Sequence, residues 1–179
     1  LHNSPRRQRQ MCIRDRMCYE INVPSGYAKN LWELCIDKGK EFNITPYGTE
    51  AMHVLRAEKG FIIVGQETDG SVTPIDLDMD WIVSKKKYDF IGKRALYRSD
   101  TIKKDRKQLV GLRTKDPNKV LEEGSQLVEE ITALPMKMVG HVTSSYYSPN
   151  LKSSFALALI KGGLEKKGGV LIAPMENEN

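Results

Sequence analysis

The sequence is short of what most metal and redox sites need. Its three cysteines, Cys12, Cys18 and Cys35, show no C-x-x-C spacing. Neither zinc nor dithiol chemistry is indicated, no metal site is expected, and free thiols fit a reducing, cytoplasmic location. There is no G-x-G-x-x-G run, so no dinucleotide-binding turn is encoded. No apolar run approaches the ~20 residues of a membrane span, and no secretory signal pattern is present. Repeats and low-complexity tracts are absent, and no RNA-binding motif follows the basic N-terminal residues.

Charge is present, but unevenly. The net +5 and pI near 9.0 could suggest a nucleic-acid partner. Residues 1–16, however, supply five arginines and one aspartate, leaving about +1 for the rest of the chain. With almost no apolar residues these sixteen cannot build a core. They read as an arm outside the fold, non-native or disordered, abutting a strand that starts without a turn. Lys85–Lys87 and Lys103-Lys104 have acidic neighbours and read as solvated surface, so neither nucleic acid nor membrane is expected as a partner.

The remaining sequence has the composition of a water-soluble domain, 40% hydrophobic and 28% charged, with length enough to bury a core. Cys18–Val23 alternates as a strand. Ala28, Leu31, Trp32, Cys35 and Ile36 lie at helical spacing, closed by Gly39. A second helix is expected from Gly48 or Thr49 to Lys59, with Thr49 as cap, Gly60 as stop, and Ala51, Met52, Val54, Leu55 and Ala57 as its stripe. Phe61–Val64 and Trp81–Ser84 read as short strands, and Asp89–Arg98 as a turn opening a short helix. A boundary is expected in the lysine-rich stretch Asp100–Lys107. Beyond it Gln108–Arg113, Gln126–Val128, Met138–Ser145, Phe155–Ile160 and Val170–Ala173 read as strands of a small barrel or sandwich. The class is α+β.

Several motifs carry a family resemblance. The run Y-G-T-E-A-M-H-V-L-R-A-E-K-G from Tyr47, then T-P-I-D-L-D-M-D-W-I-V, then D-F-I-G-K-R-A-L, and later G-H-V-T-S-S with S-P-N-L and F-A-L-A-L, resembles the folate-dependent aminomethyltransferase family. That family includes the glycine-cleavage T-protein and the folate-binding half of sarcosine- and dimethylglycine-oxidising enzymes. The resemblance spans roughly residues 17–175. It implies that residues 17–100 form part of the folate-binding domain and residues 108–175 the C-terminal β domain, within a longer chain cut at both ends.

The family grips the pterin ring edge with a glutamate in a G-E-x-G-[FY]-E motif, because a carboxylate accepts two parallel hydrogen bonds from adjacent N–H groups. Met17-Cys18-Tyr19-Glu20 resembles the end of that motif, so Glu20 is matched to the role; strand alternation equally allows Glu20 as a solvent-facing residue. Arg56 in L-R-A-E-K-G could clamp a carboxylate bidentately or pair with Glu50 or Glu58 as structure. The family's preceding G-A-R-D run is Glu50-Ala51-Met52-His53 here. Met52 replaces its arginine, which suits the sarcosine-oxidising branch better than the T-protein branch. Trp81 and Tyr47 offer faces that could sandwich a pterin or benzoyl ring, although a tryptophan in an apolar strand is more often core. His53 and His141 read as structural.

The resemblance implies a piece of a folate-dependent one-carbon enzyme, a sarcosine oxidase alpha subunit or an aminomethyltransferase. Tetrahydrofolate and a small amine substrate are then the expected ligands. The family's catalytic aspartate lies before this stretch, so no catalytic residue is named. For the sarcosine branch, FAD, FMN, NAD and further subunits would belong to the whole complex. A non-enzymatic folate-binding relative is the alternative. Gly65-Gln66-Glu67 is superficially similar to the signature of such iron–sulfur-repair proteins, but their K-G-C-Y is Phe61-Ile62-Ile63-Val64 here.

Overall fold

The structure is a computed structural model that describes residues 7–11 and 17–174. It divides into two compact units, Leu1–Phe61 and Ile62–Asn179.

In the first unit, β1 (Arg7–Met11) pairs antiparallel with β2 (Met17–Ile21), from Arg7 opposite Ile21 to Met11 opposite Met17. Arg7–Met11 thus depart from the expectation that residues 1–16 stand apart. A ladder joins backbone groups, so a strand needs a partner edge and not an apolar sequence. The rest of that arm, residues 1–6 and 12–16, lies outside the described residues.

A 3-10 turn at Ser25–Tyr27 opens α1 (Ala28–Gly39). The chain does not stop at Gly39. It adds a 3-10 turn, Lys40–Phe42, and reverses at Asn43, whose φ of 55° is left-handed. Gly39 serves a different end: a Cβ there would lie 2.6 Å from the Ile44 side chain, whose own amide donates to the Gly39 carbonyl at 3.0 Å. The stripe of α1 is only half-buried, and Trp32 is exposed.

The second helix, α2, is Thr49–Glu58, with Gly48 rather than Thr49 at the N-cap and no side-chain cap. It ends in a Schellman motif. Gly60 (φ 74°) donates to the Ala57 carbonyl, and Phe61 donates to the Arg56 carbonyl. Ala57 and Arg56 are its buried residues.

The second unit is built on an antiparallel sheet of four strands. These are β3 (Lys107–Arg113), β4 (Gln126–Val128), β5 (Met138–Ser148) and β6 (Ser153–Lys161), in the order β3-β6-β5-β4. Every residue of β6 from Ser153 to Ile160 is buried, so both of its faces are covered. Leu127, Val142, Ala156, Ala158 and Ile160 form the core, with Val110, Leu112, Leu121, Leu171 and Ala173 against it. Burying one such leucine or isoleucine stabilises by about 1.5–3 kcal/mol. Gly140 is fixed by close approach, since a Cβ there would sit 2.3 Å from the Leu159 carbonyl oxygen.

Three expected strands take other forms. Around Phe61–Val64 the chain makes only an isolated bridge, Val64 to Thr68, and Trp81 lies in a 3-10 turn, Asp80–Ile82. Val170–Ala173 contributes a single bridge, where Ile172 exchanges two 2.9 Å hydrogen bonds with Val128. Apolar runs this short do not distinguish a strand from a packed turn. Residues 62–106 belong to the sheet's unit because they are bonded to it: Leu109 N–H donates to the Asp76 carbonyl at 2.8 Å, and Gly162 N–H to the Arg106 carbonyl at 2.9 Å.

Candidate functional site

Glu20, Tyr47 and Arg56 lie in the first unit, and Trp81 lies in the second. Glu20 stands on β2 with its side chain exposed. Tyr47 precedes the N-terminus of α2 and is 63% exposed. These two offer a free carboxylate and a free aromatic face to a ligand. Arg56 is different. It is 4% exposed, and its Nη1 donates to the Phe61 carbonyl at 3.1 Å, across the Schellman turn. A cation here also complements the negative end of the helix dipole. Trp81 is 68% exposed, not the core residue that a strand would have made it.

Two further polar constellations organise the second unit. Asp76 closes the Thr73-Pro74-Ile75-Asp76 turn by accepting from Thr73 N–H at 2.8 Å and Thr73 Oγ1 at 2.9 Å. It also receives the guanidinium of Arg106, with Nη2 2.7 Å and Nε 3.0 Å from its oxygens. Burial pushes the Asp76 carboxyl up, but the Arg106 and Thr73 hydrogen bonds outweigh it and hold the group below the usual carboxylate range. Hydrogen bonding to Asp76 holds Arg106 above its ordinary value.

The second constellation centres on Glu67, which is fully buried. Its carboxylate accepts from Ile63 N–H at 2.7 Å and from the Ser144 hydroxyl, while Gln66 Nε2 donates to the Thr143 carbonyl at 3.1 Å. The turn Ile63–Thr68 is thereby fastened to β5. Sequence reasoning missed both centres. For Asp76 the available signal was a threonine three residues before an aspartate, the spacing of a side-chain-closed turn. For Glu67 there was none, since Ser144 is 77 residues away.

His141 is half-buried on β5. Burial pushes its pKa down, Lys107 adds to this, and Asp69 opposes both. Among the described residues no group of three His, Cys, Asp or Glu side chains could hold a metal, and no helix is long and apolar enough to cross a membrane.

A helix-bearing unit followed by an antiparallel β unit is the α+β architecture of the aminomethyltransferase fold. Residues 16–87 match the GCVT N-terminal domain, and residues 107–179 match the glycine cleavage T-protein C-terminal barrel domain. The chain belongs to this family. It is 52% identical over 167 residues to sarcosine oxidase subunit alpha of Corynebacterium sp. (strain P-1), covering 90% of this chain and 17% of that protein. It is 34% identical over 160 residues to an aminomethyltransferase of Thermoanaerobacter sp. (strain X514), covering 89% of this chain and 42% of the relative. Glycine cleavage system aminomethyltransferase T from Bartonella henselae superposes with a TM-score of 0.70 at 25% identity, over 90% of this chain and 43% of that one.

Proposed function

We propose that this chain is part of a folate-dependent one-carbon enzyme of the sarcosine oxidase alpha-subunit branch. The observation that carries the branch assignment is the 52% identity across 90% of the chain, against 34% for the aminomethyltransferases. Met52, standing where the other branch carries arginine, agrees with it.

The side chains available in the structure suit a reduced pterin. Glu20 presents an unburied carboxylate that can accept two parallel N–H bonds from a ring edge. Tyr47 in the first unit and Trp81 in the second are each exposed, and each taken by itself is an aromatic face of the kind on which a pterin or benzoyl ring stacks. On this reading Arg56 braces the end of α2 and so helps to position the loop after it. Tetrahydrofolate, when bound, supplies the secondary amine that takes up the one-carbon unit. The work of this chain is to orient that amine. The catalytic acid–base group, the amine-oxidising step, and any FAD, FMN or NAD belong to the remainder of the complex, together with other subunits. The setting is cytoplasmic.

An aminomethyltransferase is the second reading, supported by the 34% relatives. One assay separates the two: formation of 5,10-methylenetetrahydrofolate by the intact protein, supplied either with sarcosine or with an aminomethyl-loaded carrier protein. The sarcosine-branch reading requires product with sarcosine. Product with the carrier alone would replace it by the second reading. Tight folate binding without turnover of either donor would favour a non-enzymatic folate-binding protein.

A further inference from the structure

Asp80–Lys107 holds ten lysines and arginines against four aspartates, a surplus of six positive charges in a chain whose total is +5. The acidic neighbours of Lys85–Lys87 and Lys103-Lys104 therefore offset their charge only in part. Within the stretch Asp80 pairs with Lys85 at 3.4 Å and Asp100 with Arg98 at 3.3 Å, whereas Asp105 pairs with Lys161, outside it, at 3.3 Å. Lys86, Lys87, Arg94, Lys103 and Lys104 make no ion pair among the described residues.

Within this basic stretch is an apolar groove of about 410 Å³, lined chiefly by Pro74, Ile82, Val83, Phe90, Ile91 and Leu96, with Lys87 also in its wall. Ile91 is fully exposed and Tyr88 is 93% exposed. An aliphatic groove with a bare isoleucine at its lip, set among cations, has the composition of an interaction surface: an apolar centre within a charged rim.

We propose that this groove docks an acidic segment of a partner protein, with one aliphatic or aromatic side chain seated in it and carboxylates facing Lys86 and Lys87. The charge surplus selects the sign of the partner and speeds its encounter. The aliphatic lining selects protein over nucleic acid, because phosphates, sugars and stacked bases would leave Ile82, Ile91 and Leu96 unburied. The proposal is independent of the folate reading, since it uses neither Glu20 nor Tyr47.

The test is fluorescence anisotropy on the intact protein with the labelled peptide Asp-Glu-Leu-Asp-Glu-Phe-Glu-Asp. Its lysine-for-acid counterpart and a short oligothymidylate serve as comparison probes. The expected result is saturable binding of the acidic peptide, weakened about tenfold or more by Lys86→Glu/Lys87→Glu and similarly by Ile91→Asp. All three substitutions sit on exposed side chains, and an unchanged thermal midpoint verifies the fold. Absence of saturable binding overturns the proposal, as does equal binding of the lysine peptide. Tighter binding of the oligothymidylate assigns the surface to nucleic acid. Self-association that Lys86→Glu/Lys87→Glu abolishes assigns it to a second copy. Either result also overturns the proposal.

Discussion

Asp76 and Arg106, thirty residues apart, are locked by a forked contact of 2.7 Å and 3.0 Å, with side chains only 4% and 16% exposed. Arg106 sits at the entry to β3, and Asp76 closes the turn before Trp81. The pair therefore ties the Trp81 segment to the sheet. Asp76→Ala leaves a guanidinium without its carboxylate in a mostly buried place, which should cost about 3 kcal/mol. For a protein of this size that is roughly 6–12 °C in thermal midpoint. Arg106→Lys, which keeps the charge and loses the fork, should cost less. Equal midpoints for wild type and Asp76→Ala would mean the contact contributes nothing.

The same pair gives a pH dependence. The Asp76 carboxyl is held below its ordinary value of 3.8 in the fold. The stability it contributes is fully present above that unfolded value and is lost as pH falls through the lowered folded value. Asp69, lowered mainly by the Ser71 hydroxyl, acts in the same direction. Thermal midpoints measured from pH 7 to pH 2 should fall in the acid range for wild type. The fall should be shallower for Asp76→Asn, and parallel curves would remove Asp76 as a contributor.

Glu67 and Ser144 should behave as a coupled pair. Ser144→Ala removes one donor to a fully buried carboxylate and should cost about 1–3 kcal/mol. A double-mutant cycle with Glu67→Gln should show coupling of at least about 0.5 kcal/mol. The Ile63 amide, which donates to Glu67, should lose hydrogen-exchange protection in Glu67→Gln. Additive effects with unchanged exchange would show that the turn is held by other contacts.

How much of this could be read in advance depends on whether a signal is local. The two helices were visible because each carries its own 3.6-residue period, β3, β5 and β6 because they are long, and the three-residue β4 because the Glu123-Gly124 turn precedes it. The family was legible for the same reason, since its motifs are contiguous runs. Gly39 and Asn43 show where local reading stops: which residue reverses the chain was decided by the fit of Ile44 against Gly39. Trp81–Ser84 failed as a strand because an apolar run of this length folds equally well into a 3-10 turn. Among the proposed ligand contacts, Glu20 was matched by motif, and Tyr47 and Trp81 were chosen only as aromatic faces. The engagement of Arg56 with the Phe61 carbonyl depends on the helix end being formed, and no spacing in the sequence encodes it.

Calorimetric titration of the intact protein with tetrahydrofolate, wild type beside Glu20→Gln, tests the folate reading most directly. Glutamine keeps the shape but turns one acceptor into a donor facing a ligand N–H, a loss of about 1.5–3 kcal/mol. The account requires saturable binding by wild type and a dissociation constant weakened about tenfold to a hundredfold in the variant. An unchanged constant would remove Glu20 from the site, and no binding by the wild-type protein would contradict the folate reading itself.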